Sequence, residues 1–261
     1  MNTSELLFGT HEWAEENYNF INGCSHDCKY CYSKEMAIRF KRKTKENWKE
    51  EEVRDKDVIK KYSLRKGTIM FPSSHDITPK FIDETLQILG AILAHGNKLL
   101  IVTKPHLECI QKICDSLFDY KEKILFRFTI GSLLNNVLKF WEPGAPSFEE
   151  RLDSLQYAFR TGYQTSVSCE PMLDKNTSQL IDQLLPYITE TIWVGKANFL
   201  VKRMRTNGIS DLKSFKAAED LNLWQNDDNN IIQLYETYCD NKKIKWKESI
   251  KKVLMESTLA P

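Results

Sequence analysis

The chain has 261 residues, 41% hydrophobic and 28% charged, and its 37 basic and 36 acidic residues give a formal net charge of +1. This length can bury one large core, and so small a net charge disfavours extended binding of a polyanion such as nucleic acid. No apolar run reaches the roughly 20 residues of a membrane-spanning helix, and the first residues lack the basic start and apolar stretch of a signal peptide. We therefore expect a cytoplasmic protein with no membrane-embedded segment.

Short apolar runs alternate with amphipathic segments along the chain, as strands alternate with helices in α/β proteins. The first predicted strand lies near residues 18–21. The others, each bounded by turn or helix signals, are residues 68–72, 99–103, 124–130, 164–168 and 191–194. Three helix starts follow strands: Thr78 before a proline, the Lys104-Pro-His-Leu segment, and Ser147 before Phe-Glu-Glu. Gly96 is the predicted stop of the first of these helices.

Strands that are separated by single helices are typical of βαβ crossovers and a mostly parallel sheet. Six strands are too few for a closed eight-stranded barrel. We therefore predict an α/β fold, an open and partial TIM-like barrel of six βα units whose mouth lies at the carboxyl ends of the strands. We expect a single domain over residues 1–261, with a core of about residues 15–200 and C-terminal helices over about residues 214–261 that cover the sheet or its lower opening.

Three of the seven cysteines lie together in the sequence GCSHDCKYCY, at residues 23–32. Such clustering does not resemble a disulfide framework and is typical of thiols that bind a metal in a reducing compartment. Thiolates of Cys24, Cys28 and Cys31 can converge on one iron–sulfur cluster, which usually takes four cysteine ligands, so one iron would stay open. Zinc is the alternative, with His26 as a fourth ligand, although a second Cys-x2-Cys pair is absent from the sequence.

The spacing Cys-x3-Cys-x2-Cys, with aromatic Tyr30 directly before the last cysteine, resembles the signature of radical S-adenosylmethionine (SAM) enzymes. The resemblance implies that Cys24, Cys28 and Cys31 hold three irons of a 4Fe-4S cluster. It also implies that SAM binds the fourth iron through its amino and carboxylate groups and that Tyr30 lies against the adenine. In this family an electron from a reductant such as flavodoxin or ferredoxin cleaves SAM to methionine and a 5′-deoxyadenosyl radical.

The resemblance is closest to the branch typified by spore photoproduct lyase and covers about residues 15–200. It places a short segment after the second predicted strand near the cofactor amino group, and Lys104, after the third strand, at the cofactor carboxylate. The candidate cofactor contacts besides Tyr30 are Ser73, Ser74, Asp76, Lys104, Thr129 and Ser132. The candidate catalytic residues are His75, Cys169 and Glu170. Lys196 and Asn198, after the sixth strand, are candidate substrate contacts.

One departure from the lyase pattern concerns the hydrogen donor. In that branch the loop after the second strand carries a cysteine that returns a hydrogen atom to the product, and this chain has Ser73 at the aligned position. A serine O–H is a poor hydrogen-atom donor, which disfavours the spore lyase activity itself. Cys169, beside Glu170 at a strand end, is the candidate replacement. The alternative is that Cys169 points into the core, because strand residues alternate between faces.

We predict a radical SAM lyase that cleaves a C–C or C–N bond in a small substrate held in the barrel mouth. A modified base or nucleoside such as queuine, taken up in nucleobase salvage, is the specific prediction. Repair or modification of DNA or RNA is the alternative, and it is favoured if two basic segments, residues 39–45 and 202–205, share a face with the mouth. A non-enzymatic metal-binding module is the third hypothesis.

Overall fold

The computed structural model describes residues 9–258, which form a seven-stranded sheet, a separate two-stranded sheet and the helices around them. Residues 1–8, on which part of the localisation prediction rests, lie outside the described range. The strands are β1 (Glu16–Asn17), β2 (Ile21–Asn22), β3 (Glu52–Val53), β4 (Thr68–Phe71), β5 (Lys98–Thr103), β6 (Ile124–Thr129), β7 (Gln164–Cys169), β8 (Ile192–Val194) and β9 (Ile244–Trp246).

The α-helices alternate with the longer strands, as the sequence predicts. They are α1 (Tyr32–Arg39), α2 (Asp55–Val58), α3 (Ile82–Ala94), α4 (Leu107–Ser116), α5 (Asn135–Trp141), α6 (Phe148–Arg160), α7 (Thr177–Leu184), α8 (Leu200–Thr206), α9 (Leu212–Asn226), α10 (Asp228–Tyr238) and α11 (Glu248–Thr258). Within residues 9–258, no helix combines the length and the apolar character that a bilayer span requires.

The seven strands of the main sheet are in the order β1-β4-β5-β6-β7-β8-β9, and every neighbouring pair is parallel. The order in space therefore follows the order in the chain, as in a barrel that has been opened between its first and last strands. In the described part of the chain β1 and β9 are not paired with each other, so the sheet is open. This confirms the predicted α/β fold and its partial barrel.

Two short strands differ from the sequence prediction. The first strand of the main sheet is Glu16–Asn17, whereas Ile21–Asn22 pairs antiparallel with Glu52–Val53 in the small sheet. A seventh strand, Ile244–Trp246, lies within the segment predicted to be helical. Both misses have one cause, since strands of two or three residues are too short to show periodicity, and both residues of β1 are exposed.

Both faces of the sheet are buried, which explains the continuous apolar run in β5. Leu99 and Ile101 pack on the helix side, while Leu100 packs with Met70 and Ala14 on the concave side. Successive strand residues point to opposite faces, so the two clusters alternate along one strand. The concave side is therefore filled by the segment before β1 as well as by the strands.

The predicted helix boundaries of α3 and α6 are confirmed with small adjustments. A 3₁₀ turn at Pro79–Phe81 precedes α3, and Gly96 follows it with a φ of +85°, a conformation that glycine adopts without strain. Ser147 caps α6 by accepting a hydrogen bond from the backbone N–H of Glu150. These caps fix where each crossover returns to the sheet and hence where the strand ends meet.

Candidate active site

The cysteine loop lies between β2 and α1, beside the carboxyl ends of β4 and β5. Cys24 and Cys28 are buried, Cys31 is half-buried, and all three are free thiols that line one cavity of about 240 Å³. We call this the cofactor cavity. The sulfur of Cys31 also caps α1 by accepting from the N–H of Lys34 at 3.3 Å. Gly23 has a φ of +95°, and a Cβ there would lie 2.5 Å from the carbonyl oxygen of Glu50, so the loop requires glycine at this position.

The donor set and burial of the three thiols fit an iron–sulfur cluster. Burial raises the pKa of the thiols of Cys24, Cys28 and Cys31, so each favours its neutral form in the chain by itself. A cation bound by sulfur would reverse that preference, because metal coordination requires the thiolate. Three thiols on one short loop, facing one cavity, are the ligand arrangement that the sequence predicts for a 4Fe-4S cluster.

Asp76 is the centre of a buried hydrogen-bond network beside the cysteines. Its Oδ1 accepts from the backbone N–H of Lys104 at 2.7 Å and from the Thr103 hydroxyl at 3.0 Å. Its Oδ2 lies 2.9 Å from His26 Nδ1 and 3.5 Å from Lys104 Nζ. Burial alone would raise the pKa of Asp76, but Lys104 and His26 offset it and hold that pKa well below its usual range.

His26, the ligand of the zinc hypothesis, faces this network. One ligand atom from each of Cys24, His26 and Asp76 lies within 4.8 Å of the other two. However, His26 Nδ1 contacts Asp76, and Nε2 lies 3.1 Å from His106 Nε2, so both ring nitrogens already have partners. Within the described range, His26 is not among the residues that line the cofactor cavity with Cys28 and Cys31. This arrangement favours the three-cysteine set over zinc.

Tyr30 is held by a buried ion pair that the sequence did not indicate. Its hydroxyl donates to Glu142, which forms an ion pair with Arg151 at 2.6 Å, and both charged side chains are fully buried. Arg151 also donates to the carbonyl oxygens of Pro146 and Thr129. The loop that carries Glu142 therefore fixes Tyr30 relative to the end of β6.

The segment after β4 lies on the opposite wall of the cofactor cavity. Asn19 Oδ1 accepts from the backbone N–H groups of Ser73 and Ser74 at 2.7 and 2.8 Å, and these bonds fix the segment. His75 lies edge-on to Phe20, and its Nε2 accepts weakly from the N–H of that residue at 3.4 Å. Burial lowers the pKa of His75 to about 4, so its ring is neutral at pH 7.

The structure brings most of the predicted site residues together. Besides the three cysteines, the cofactor cavity is lined by the predicted residues Tyr30, Ser73, Ser74, His75, Asp76, Lys104, Thr129 and Glu170. Two candidates require correction. Ser132 is 1% exposed, and its hydroxyl donates to Asp174 outside the cavity. Cys169 is fully buried in the hydrophobic core, and burial raises its pKa to about 12.

A second cavity of about 620 Å³ adjoins the first, and we call it the substrate cavity. Tyr30, Tyr32 and Glu170 line both cavities. Lys196 and Asn198 line the substrate cavity, as the sequence predicts for the mouth. Glu12 and Trp13 also line it, in agreement with an N-terminal segment that the sequence allows to reach over the mouth, whereas the C-terminal residues Lys247 and Lys252 were not predicted there.

The C-terminal segment therefore lies at the mouth rather than at the lower opening of the barrel. Lys247 follows β9 directly, forms an ion pair with Glu12 and lies 3.5 Å from Glu170. Ser249 accepts a hydrogen bond from the backbone N–H of Lys196 at 3.0 Å. The unpredicted strand β9 explains this placement, because it continues the parallel sheet and delivers its carboxyl end to the same edge.

A model of the radical SAM superfamily matches residues 18–185, more than half of the chain. The chain belongs to the radical SAM superfamily. The family uses a 4Fe-4S cluster and SAM as cofactors, and the matched range contains all three cysteines of the loop. This confirms the family resemblance that the cysteine spacing indicates.

Two curated relatives, both uncharacterised proteins, are 29% identical to this radical SAM protein. One, from Acidianus two-tailed virus, aligns over 176 residues, which is 63% of this chain and 57% of the relative. The other, from Methanocaldococcus jannaschii, aligns over 154 residues, which is 58% of each chain. The chain thus spans little more than half the length of these relatives.

Solved structures share the fold. Spore photoproduct lyase complexed with dinucleoside spore photoproduct superposes with a TM-score of 0.54 at 18% identity, over 80% of this chain and 66% of the lyase. Streptococcus suis SuiB bound to S-adenosylmethionine superposes with a TM-score of 0.51 at 13% identity, over 86% of this chain and 48% of SuiB. At these identities the similarity concerns the radical SAM fold alone.

Two basic segments of this radical SAM protein lie next to each other beside the mouth. Arg203 Nε in α8 is 3.5 Å from Glu35 Oε2 in α1. A Cβ at Gly208, just after α8, would lie 3.0 Å from the side chain of Lys45, so the loop after α1 contacts the end of α8. The exposed cationic residues of the two segments are Arg39, Lys41, Arg42, Lys45, Lys202 and Arg205.

Exposed aromatic side chains accompany these cations. Tyr32, Phe40 and Phe199 are 55%, 58% and 72% exposed, and Arg203 lies 5.3 Å from the centre of the Tyr32 ring. Phe199 has a φ of +55°, a left-handed conformation that is uncommon for a bulky residue and often marks a functional position. Tyr32, Phe199 and Arg203 also line the substrate cavity, so the basic face continues into the mouth.

Proposed function

We propose that this radical SAM protein takes a hydrogen atom from a base-like group in the substrate cavity, after which a C–C or C–N bond of the substrate breaks. One observation carries the proposal, namely that the cofactor and substrate cavities adjoin and share Tyr30, Tyr32 and Glu170. A planar ring suits the larger cavity, because Trp13 and Phe199 line it together with several polar groups.

We assign the cofactors to the smaller cavity. Cys24, Cys28 and Cys31 would hold the 4Fe-4S cluster, which together with SAM supplies a 5′-deoxyadenosyl radical when bound. Asp76 and Lys104 place a carboxylate and an ammonium on the same wall, where they complement the oppositely charged amino and carboxylate groups of an amino acid.

The remaining residues of the cavity orient and enclose the reactants. We assign Tyr30 to the adenine, because the buried Glu142–Arg151 ion pair fixes its hydroxyl and leaves the ring on the cavity wall. Ser73, Ser74 and Thr129 offer hydroxyl groups for polar atoms of the cofactor. His75, a candidate catalytic residue from the sequence, is assigned a structural role instead, since its ring is neutral and packed against Phe20.

The test of this proposal is anaerobic and compares the wild type with Cys28→Ala. Each protein is reconstituted with iron and sulfide, reduced and mixed with SAM, and 5′-deoxyadenosine is measured. We expect deoxyadenosine from the wild type alone, and a faster rate when a modified base that the enzyme accepts is added. A cluster-loaded wild type that makes no deoxyadenosine would contradict radical chemistry. A rate that responds to no base or nucleoside in a broad panel would contradict the base-like substrate.

Modification or repair of a nucleic acid is a second candidate, which the basic face beside the mouth supports. Exposed rings among cations are typical of surfaces that bind single strands, because bases stack on the rings and phosphates pair with the cations. Spore photoproduct lyase, which shares the fold, has been solved with a dinucleoside spore photoproduct.

Fluorescence anisotropy with a labelled single-stranded oligonucleotide tests this second candidate. We expect binding that weakens steeply with salt, and we expect Phe199→Ala to weaken it further. Glu190→Ala, a change on the opposite end of the sheet, is the control. Equal and weak binding by all three proteins at low salt would remove this candidate.

Three further expectations stay predictions: the single-domain organisation of residues 1–261, the cytoplasmic location, and an external reductant such as flavodoxin or ferredoxin. The small-molecule substrate of the first candidate and the nucleic acid of the second share a base-like reacting group. Queuine remains one example of that class.

A further inference from the structure

Three charged side chains form the inner end of the substrate cavity. Lys247 lies between Glu12 and Glu170, and the side chains of these three residues are 6%, 11% and 24% exposed. The Lys247 ammonium is also 4.4 Å from the centre of the Trp13 ring. Gly195 lets the cluster assemble, because a Cβ there would lie 3.0 Å from the Lys247 side chain and 3.1 Å from that of Glu170.

Two carboxylates share one ammonium in this cluster, while Lys196, Arg203 and Lys252 line the same cavity. Lys247 contacts Glu12 directly, whereas Glu170 Oε2 lies 3.5 Å from the same ammonium. Charge-assisted hydrogen bonds of this kind are usually about 2.7–2.9 Å long, so Glu170 is the more weakly compensated carboxylate. The pKa of Glu170 is raised, and burial is the largest cause. Glu12 also raises this pKa, whereas Lys247 and the more distant Arg203 lower it.

Glu170 is also the charged residue at the boundary of the two cavities, because it lines both of them. A substrate group bound to it would lie next to the cofactor cavity. An ionised carboxylate accepts hydrogen bonds and donates none, and its two oxygens suit a pair of adjacent donors. The rings of Trp13 and Tyr32, which line the same cavity, can cover the faces of a planar group held there.

We propose that Glu170 selects the substrate by accepting hydrogen bonds from two adjacent N–H groups of a ring, as the N1–H and 2-amino groups of a guanine-type base present them. Lys247 is the positioning residue that holds the Glu170 carboxylate, and Glu12 holds Lys247 in turn. The inference rests on the proposed function, because it assigns a recognition edge to the base-like substrate of the same cavity.

This arrangement discriminates among bases by their hydrogen-bonding edge. Inosine lacks the 2-amino group of guanosine and would lose one of the two hydrogen bonds to Glu170. Adenosine presents the unprotonated N1 as an acceptor, which faces the carboxylate oxygens unfavourably. A lost hydrogen bond to a charged group lowers affinity by about tenfold or more, so we expect guanosine to bind best and adenosine worst.

Calorimetry of the cluster-loaded protein with SAM, under anaerobic conditions, tests the inference with guanosine, inosine and adenosine as the probes. We expect guanosine to bind the wild type about tenfold more tightly than inosine, and we expect Glu170→Gln to abolish that difference, because an amide offers one acceptor in place of two. Glu190→Gln is the matched control, since Glu190 is an exposed carboxylate at the opposite end of β8 and should leave the difference unchanged. Iron content and SAM affinity of each variant show whether the protein is intact.

The outcomes separate this inference from the proposed function. Equal affinity of the wild type for guanosine and inosine would overturn the role of Glu170 and would leave a base-like substrate standing. Full discrimination by an intact Glu170→Gln protein would overturn it as well. If none of the three nucleosides binds, both this inference and a nucleoside-like substrate are contradicted, while deoxyadenosine formation still reports on the radical chemistry. The wild-type series needs no variant and decides the question even if Glu170→Gln fails to fold.

Discussion

The two adjoining cavities are built in different ways. The cofactor cavity takes its cysteines from one loop of eight residues and its opposite wall from the ends of consecutive strands β4, β5 and β6. The substrate cavity joins the two ends of the described chain, since Glu12 contacts Lys247 across 235 positions of sequence. The cysteine loop by which the family is recognised is therefore local in sequence, whereas the cavity that we propose for the substrate exists only in the folded chain.

The two cavities also differ in how their charges are paired. Asp76, in the wall of the cofactor cavity, has partners on both oxygens, and the Glu142–Arg151 pair that supports Tyr30 is fully buried behind that wall. In the substrate cavity, Glu170 is held at 3.5 Å by an ammonium that it shares with Glu12. A preformed network suits a cofactor that binds in the same way in every turnover, and a carboxylate with one long, shared contact suits a ligand that supplies further donors.

The largest expected effect concerns the cofactor cavity alone. Cys24→Ala removes one of three ligands, so we expect loss of the cluster and of all deoxyadenosine formation above background. Iron per chain and the visible absorbance of the cluster measure the loss. Cys239→Ala, at an exposed cysteine, is the control. Full iron retention by the Cys24 variant would mean that the loop is not the cluster site.

The next effect tests the support beneath Tyr30. Glu142→Gln leaves the buried Arg151 without its carboxylate, and breaking a buried ion pair in this way costs about 3–5 kcal/mol of stability. Denaturant unfolding of the two proteins in the same state of cluster loading measures it. Glu149→Gln, at an exposed position of α6, the helix that carries Arg151, should change stability by less than about 0.5 kcal/mol. Equal stabilities of the wild type and Glu142→Gln would show that the ion pair contributes little and that other contacts fix Tyr30.

The next prediction concerns the pH dependence of stability that arises from His75, in the wall of the cofactor cavity. The pKa of His75 is about 4 in the folded chain, against 6.5 when exposed. Above pH 6.5 the ring is neutral in both states, but between pH 6.5 and 4 only the unfolded chain takes up the proton. Stability therefore decreases as the pH is lowered from 6.5 to 4, by about 3 kcal/mol in total.

Unfolding free energies of the wild type and His75→Gln at several pH values isolate that contribution. The variant cannot titrate at this position, so the difference between the two proteins should change by about 3 kcal/mol from pH 7 to pH 4. Parallel pH profiles for the two proteins would show that His75 is hydrated or already charged in the folded chain.

The smallest expected effect concerns a core residue, Cys169, outside both cavities. Cys169 is fully buried in the core and lines neither cavity, so Cys169→Ala should leave deoxyadenosine formation and substrate turnover nearly unchanged. We expect a stability loss of about 1 kcal/mol from the smaller side chain. A substrate that turns over far more slowly while deoxyadenosine still forms would identify Cys169 as the hydrogen donor after all.

The sequence predicts the cofactor side well for physical reasons that particular residues illustrate. The apolar run of β5 indicates a strand because both of its faces are buried, and the cysteine spacing indicates a cluster because three ligands must converge from one loop. The family resemblance indicated Lys104 and Asp76, and both belong to segments that follow parallel strands, whose carboxyl ends meet at one edge.

The rest could not be predicted because it depends on contacts between distant residues. With 37 basic and 36 acidic residues, the sequence offers no basis for choosing the pairs Glu142–Arg151 and Glu12–Lys247. Strand β9 has three residues and shows no periodicity, so neither the strand nor the placement of Lys247 at the mouth could be predicted. For Cys169, the alternation of strand residues allowed the side chain to point either to the mouth or into the core. In the folded chain it lies in the core.

The contact between Glu12 and Lys247 also sets an order for the emergence of the protein from the ribosome. A nascent chain that ends after β6 already contains the cysteine loop, Asp76 and Lys104, whereas the partner of Glu12 has not yet been synthesised. Strand β9 is translated well after β6, so the half that holds the cysteines can assemble before the substrate cavity exists. The chamber in which a substrate would meet that half closes only after β9 has been translated.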